Sequence, residues 1–301
     1  MTLVVLALDA LDYGLVEYFD VDAVRLGSEG QMETFAHTQD TPYTPEVWAT
    51  VATGLPPEDH GVTGPGTSEW ENPVLSMLSR VSGRFSESTR GTLGGLIRRH
   101  TGERERIGET DADSVFDREG AVVHNWPGVH DGTDLQRAWD LMNAASEGMA
   151  RHEFERDLFG LCAGQFAWAR EMLNHPVSLA GVHVHTLDAA GHAYADDEAA
   201  LRRVYERVGE FVKGIETALG ADDDLLVLSD HGMRTAFYPG DEDEDPAGHS
   251  WRAYASTTAG DHPESVYDVR EWIEARATDA RIEREGIDMP TERLRELGYL
   301  E

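Results

Sequence analysis

Three apolar runs of strand length stop at an acid. Leu3-Val-Val-Leu-Ala-Leu8 runs into Asp9, Val182-His-Val-His-Thr-Leu into Asp188, and Asp224-Leu-Leu-Val-Leu-Ser229 into Asp230. Near-continuous apolar runs of this length suit strands buried on both faces. Gln31–Thr38, Ala121–His124 and Arg252–Ser256 read as further strands. Between them lie helical patterns. One runs from Thr44 to a stop at Gly54. A second runs from Asp134 to about Asn174, broken near Gly148 and Gly160–Gly164, with Trp139, Leu141, Met142, Phe154, Leu158, Phe159 and Phe166 as core. A third, Ala195–Leu219, sets Leu201, Val204, Val208, Phe211 and Ile215 on one face. The tail, 265–301, reads as helical, with Val269, Trp272 and Ile273 together. This strand–helix alternation predicts an α/β fold with a mainly parallel sheet covered on both sides.

Open α/β sheets carry their chemistry at the carboxyl ends of the strands, so the terminal acids become candidates. Asp230-His231 pairs a hard oxygen with an imidazole nitrogen, which suits a zinc-like ion. If the turn at Asp188 opens a helix, the i, i+4 spacing puts Asp188 and His192 on one face. Gly248-His249-Ser250 adds a third histidine at a turn. Each residue has a plain alternative, since Asp caps helices and His satisfies backbone groups. Taken together, three Asp and three His at strand ends or turns suffice for two metal ions. Thr44 reads as an N-cap with Pro45 at N1. That position is also where a hydroxyl meets the partial positive end of a helix, and where a phosphate would sit. His60 reads as structural, ordering the loop behind that helix.

Asp9, Thr44, Asp188-x-x-x-His192, Asp230-His231 and Gly248-His249 together resemble the alkaline phosphatase superfamily, in its type I phosphodiesterase/nucleotide pyrophosphatase branch. The ordered match extends from residue 3 to about 256. The resemblance implies a three-layer α/β/α sandwich with an inserted cap at 66–120. It also implies two divalent ions, Zn2+ first and Mn2+ second. Asp188, His192 and His249 would hold one ion, and Asp9, Thr44, Asp230 and His231 the other. Thr44 would be the nucleophile that carries a phosphothreonine intermediate in the hydrolysis of phosphodiester or pyrophosphate bonds. A phosphomonoesterase or phosphomutase could use the same residues, and a catalytically inactive metal-stabilised binding protein could keep them. The chain departs from the branch after His60-Gly61, where Val62-Thr-Gly-Pro-Gly66 lacks the asparagine that stabilises the transferring group. Asn125, in the loop after Ala121–His124, is a candidate replacement. Thr44-Pro45-Glu46-Val47-Trp48 cannot make formylglycine, so a sulfatase is not expected.

Composition narrows the partners. The formal charge is -32, and Lys213 is the only lysine among 25 basic residues. This acid excess resembles proteins of salt-loving organisms, and GC-rich coding alone would explain the arginines but not the acids. Such a field repels nucleic-acid polymers, and the resemblance implies a small phosphorylated substrate instead. Against that background 80–106 is locally +4, with seven arginines and three glutamates. It is either a solvated face or a cap whose Arg98 and Arg99 grip a substrate anion. Asp241–Asp245 lacks the spacing of a calcium loop and reads as a solvated turn. Cys162 is the only cysteine, with apolar neighbours that suggest a buried thiol. No run reaches the ~18 apolar residues of a membrane span, and residues 1–8 read as a strand and not a signal peptide. A soluble, cytoplasmic, single-domain protein is expected, of undetermined oligomeric state.

Overall fold

The computed structural model describes residues 1–64, 108–130, 132–277, 286 and 289–298. Its centre is a six-stranded sheet made of β1 (Leu3–Leu8), β2 (Ser28–Met32), β3 (Ala121–His124), β4 (Leu179–Val184), β5 (Asp224–Leu228) and β8 (Ala253–Thr257). The spatial order is β2-β8-β5-β1-β4-β3. β3, β4, β1 and β5 run parallel, while β8 is antiparallel to both β5 and β2. A separate antiparallel hairpin joins β6 (Gly232–Met233) to β7 (His249–Ser250). β1 has neighbours on both sides and all six of its residues are buried, as its unbroken apolar run demands.

The period-2 alternation of the strands sorts two cores. Val4, Leu6, Leu8, Val182, Val184, Leu225 and Val227 face α5 (Arg151–Met172), α6 (Thr186–Tyr194) and α7 (Glu198–Glu216). Leu3, Val5, Ala7, Leu179, Leu226 and Leu228 face α2 (Thr44–Thr53) and α8 (Val269–Glu274). The result is an α/β fold with a mainly parallel sheet and a helical layer on each face. The fourteen-residue α4 (Thr133–Ser146) and the short α1 (Tyr13–Phe19), α3 (Pro57–His60) and α9 (Thr291–Glu296) complete the described α-helices. None of the described helices is long and apolar enough to cross a membrane.

Several expectations shift. The second strand is Ser28–Met32 and not Gln31–Thr38, because it is drawn into register with β8, Met32 opposite Ala253. The chain does break at Gly148, which sits at φ 99°, but α5 runs straight through Gly160 and Gly164. Both glycines face solvent, and the roughly 1 kcal/mol each costs is outweighed by burial of Phe154, Leu158, Cys162, Phe166 and Ala169. Trp139, Leu141, Met142 and Phe159 are half-buried and not core, with Leu141, Met142 and Phe159 packed against its rim. In α7, Leu201, Val204, Val208 and Ile215 are buried as expected and Phe211 is half-buried, stacked on Phe166. Tyr43, not Thr44, is the N-cap of α2, which places Thr44 at the first helical position. The tail is not continuously helical: α8 buries Val269, Trp272 and Ile273, and α9 is exposed. Arg98 and Arg99 lie outside the described residues, as does most of 66–120.

Cys162 is fully buried, and burial pushes its thiol pKa up to about 12. A thiol reagent at pH 8 therefore meets a protonated, enclosed sulfur. We expect no labelling of the native chain within hours and one equivalent after denaturation, read by mass spectrometry. Rapid native labelling would show that α5 does not hold its place.

Candidate metal centre

The sheet register brings the candidate residues to one point. Leu8 is opposite Val184, and Ala7 is opposite both His183 and Leu228. The three parallel strands β4, β1 and β5 therefore end level. Asp9 N–H closes the level by donating to Val184 O at 3.1 Å. Continuing the alternation one step puts Asp9, His185 and Asp230 on the α2 face, the face that already holds His183. Thr44 enters from that layer at the start of α2. Ala10 follows Asp9 at φ 60°, a conformation that costs a non-glycine residue about 1 kcal/mol. This turn brings Ala10 N–H to 3.4 Å from Asp230 Oδ1, so the strain links the ends of β1 and β5.

Two triads of potential ligands result. In the first, Asp188 Oδ1 lies 3.4 Å from His192 Nε2 and 3.5 Å from His249 Nε2. The i, i+4 pair sits on α6 as its spacing implied, and β7 supplies His249. In the second, His231 Nε2 lies 3.3 Å from both Asp9 Oδ1 and Asp230 Oδ2. Thr44 Oγ1 joins it at 3.1 Å from His231 Nε2 and 3.4 Å from Asp9 Oδ1. A tetrahedron with metal–ligand bonds of about 2.0–2.1 Å has edges of about 3.3–3.4 Å, which matches these separations. The ring orientations agree. His231 Nδ1 faces Gly232 O at 3.0 Å and His249 Nδ1 faces Pro42 O at 2.7 Å. A carbonyl only accepts, so each Nδ1 carries the proton and each Nε2 lone pair points into its triad. Asp188 Oδ1 and Asp230 Oδ2 are buried with no hydrogen-bond partner, an unpaired state that a bound cation would relieve. The donor set fits two divalent ions.

Electrostatics follow from crowding. Burial works to raise the Asp9 pKa, but the charge of His185 and hydrogen bonds with His183 and His185 hold it far below the usual range. Asp188 is likewise raised by burial but pulled well below its ordinary value by His192 and His185. Asp230 is pushed well above its ordinary value by burial and by the charges of Asp9 and Asp188. His231 is driven down to about 4 by burial and by His249. His192 is raised by Asp188, and in His249 the same carboxylate outweighs burial.

Other residues at the centre were not singled out by the sequence. His183 Nε2 and His185 Nδ1 reach Asp9 Oδ2 at 2.9 and 2.7 Å. Behind the site, Asp12 is fully buried and tied to Arg252, whose Nε donates to both its oxygens at 2.9 Å. Asp12 Oδ2 also accepts from Met233 N–H and Ser250 Oγ, so it pins the turn after β1 to the hairpin carrying His249. Gly232 passes so close that a Cβ would overlap Asp12 Oδ2 and Ser250 Oγ. The other end of Arg252 grips Asp241 at 2.7 and 3.1 Å. Asp241 is therefore buried, not part of a solvated turn, and only the residues after it are exposed. Asn125 is also corrected. It is fully buried, Nδ2 donates to His183 O at 3.1 Å, and Oδ1 accepts from Leu135 N–H at 2.9 Å. Its amide is committed to the scaffold. His60 orders the loop behind α2, as read: Val62 N–H donates to Nδ1 and Nε2 lies 3.1 Å from Thr50 Oγ1.

The fold and this centre define an α/β protein with a buried Asp/His cluster suited to divalent cations at the carboxyl ends of parallel strands. Residues 3–247 match the type I phosphodiesterase / nucleotide pyrophosphatase family, and the chain belongs to that family. No curated protein sequence matches it. Among solved structures it is similar to murine ectonucleotide pyrophosphatase/phosphodiesterase 5, with 16% identity and a TM-score of 0.41. That likeness covers 78% of this chain and 58% of the murine one, so the chain spans little more than half the length of that protein. It is also similar to alkaline phosphatase from the Antarctic bacterium TAB5, with 9% identity, a TM-score of 0.49, and coverage of 93% and 99%.

Removing Arg252 tests the bracing behind the centre. Arg252→Leu leaves Asp12 as an uncompensated buried charge, which destabilises by about 3–5 kcal/mol. Arg252→Lys recovers only part, because an ammonium cannot span Asp12 and Asp241 in a fork. Urea unfolding should show a large fall in midpoint for the first and a smaller fall for the second. An unchanged midpoint in Arg252→Leu would remove the network from the account.

Proposed function

We propose that the chain hydrolyses phosphate esters with two divalent ions, favouring phosphodiester or pyrophosphate bonds, through a phosphothreonine on Thr44. The observation that carries this reading is the place of Thr44 Oγ1. It is within 3.1–3.4 Å of two potential ligands of one ion and stands at the first position of a ten-residue helix. A threonine placed only to cap α2 would turn its hydroxyl back on the helix, whereas this one is directed at His231 and Asp9. The donors combine carboxylate oxygen, imidazole nitrogen and hydroxyl, which favours Zn2+ first and Mn2+ second.

When bound, the two ions would supply Lewis-acid neutralisation of the attacking and leaving oxygens. Thr44 does the covalent work. Its Oγ1 loses its proton to solvent and forms a bond to phosphorus, while the bond from phosphorus to the leaving oxygen breaks in line. The leaving oxygen takes a proton from water. A second water then attacks phosphorus from the vacated side, the P–Oγ1 bond breaks, and Thr44 recovers its proton. Asp9, Asp230 and His231 fix the nucleophile's surroundings, and the N-terminus of α2 adds partial positive charge where the transferred group sits. The Asp188 side is the open one: the side chains of His192 and His249 are 33% and 18% exposed, against 0% for Asp9, Asp230 and His231. A leaving group therefore exits past His192.

Thr44→Ala is expected to lower kcat on an aryl phosphodiester by roughly 10³-fold or more, measured at saturating metal, with Tm close to wild type. Retained turnover would exclude the covalent route. Running the aryl phosphomonoester alongside reads the substrate class, and preference for it would move the function to a phosphatase with the same nucleophile. Acid pH gives an independent check. His192 and His249 must be neutral to ligate, and Asp188 raises the pKa of both. Protons therefore displace metal from the Asp188 side at higher pH than ordinary histidines would allow. Metal content of the Asp188 side after dialysis at decreasing pH should fall accordingly, and content that holds unchanged through the ordinary histidine range would count against these ligands.

A further inference from the structure

His183 and His185 form a third acidic-imidazole cluster with Asp9, and its distances set it apart from the two triads. The triad edges around His192, His249 and His231 are 3.3–3.5 Å. His183 and His185 approach Asp9 Oδ2 at 2.9 and 2.7 Å, which is direct hydrogen-bond contact with no room for an ion between. Both bonds fall on Oδ2, while Oδ1 of the same carboxylate faces His231 and Thr44. The other ring nitrogen of His185 turns to the other site. Its Nε2 lies 3.0 Å from Asp188 Oδ2, an ion-pair contact that is not aligned as a hydrogen bond, while Asp188 Oδ1 faces His192 and His249.

We propose that His185 is a positioning residue shared by both metal sites, holding Asp9 and Asp188 by the oxygens turned away from the ions. One rigid imidazole spans the two carboxylates and fixes the angle at which each presents its free oxygen. His183 has the narrower part of steadying Asp9 alone. The role suits its place. His185 is the residue just before α6 and directly after β4, so it is anchored by the strand while Asp188 rides on the first turn of the helix. It is buried, with the Trp139 ring edge-on at 6.4 Å, so water does not compete for its nitrogens. Partners that hydrogen-bond a ligating carboxylate typically change metal affinity by 10–100-fold.

This inference rests on the two-ion reading, and calorimetric titration of metal-free protein with Zn2+ separates the two. Wild type should bind two ions, and His192→Ala, which strips the Asp188 site, assigns the remaining step to Asp9. His185→Leu is expected to weaken both steps by roughly 10–100-fold, and His183→Leu only the Asp9 step. Co2+-loaded protein gives a second readout, since its visible bands report ligand geometry: His185→Leu should alter both sites' bands. His60→Leu, which removes a buried imidazole behind α2, should leave the isotherm unchanged even if Tm falls. If His185→Leu does not fold by circular dichroism, His185→Asn, whose single short amide cannot span both carboxylates, carries the test and should also weaken both steps. Two wild-type steps left intact by the His185 variants, or only one of them weakened, would overturn the shared role while leaving the two-ion reading standing. Equal weakening by His60→Leu would also overturn it. A wild type that binds fewer than two ions would overturn the reading itself.

Discussion

Three carboxylates, Asp9 and Asp230 at the ends of strands and Asp188 on the first turn of α6, are buried beside one another, and that concentration of charge is the constraint the rest of the structure answers. Carboxylates deprived of water repel each other strongly and cannot all stay ionised without cations. The chain answers with imidazoles: His183 and His185 on the inner side, and His192, His231 and His249 on the outer. The inner pair makes short direct contacts, and the outer three stand off at the separation of a tetrahedral edge. Asp230 shows what is left over. No imidazole hydrogen-bonds its Oδ2, and its pKa is driven up by burial and by its neighbours' charge. The compensation built from side chains is incomplete, and divalent cations would complete it.

Geometry that demanding needs a stiff frame. Parallel pairing makes β4, β1 and β5 finish at one level, so residues distant in sequence meet without long reaching loops. The outer candidate ligand His249 comes from a two-residue strand. Its position is borrowed from Asp12 and Arg252, which clamp the hairpin to the turn after β1. The left-handed Ala10 fits the same logic: backbone strain persists where surroundings over-determine it, and such places cluster at functional sites. Here Tyr205 Oη donates to Ala10 O and accepts from Asp12 N–H, which fixes the turn from α7.

Much of this was legible in the sequence, for identifiable reasons. Asp9 and Asp230 announced themselves because each ends an apolar run, and Asp188 with His192 because a helix brings i and i+4 together. Gly54 at φ 68° ends α2 where a glycine was expected to end it. The losses were of two kinds. Long-range pairs leave no local trace: Arg252 and Asp12 are 240 positions apart, and Asp241 looked like a solvated acid until that guanidinium was seen against it. Edge elements are the other kind, since β2 takes its register from β8 and not from its own pattern. His183 and His185 fall between. They sit inside an apolar run and read as strand filler, yet their parity carried a signal, because alternation from Leu179 puts both on the α2 face.

That parity also explains why inner and outer imidazoles differ in kind. Residues on a strand cannot adjust their depth, so His183 and His185 press directly on Asp9 from positions set by the β4–β1 register. His192 and His249 lie beyond the strands, on a helix and a hairpin, and are partly exposed, so a shift of a few tenths of an ångström costs little there, whereas His231, on a buried turn, is held. A site assembled this way holds its carboxylates rigidly and lets its outer ligands settle on an ion. Thr44 meets Asp9 and His231 at the dry end of the centre, and on the proposed reading, where positioning and charge stabilisation govern phosphoryl transfer, that buried end is the one that would have to stay fixed.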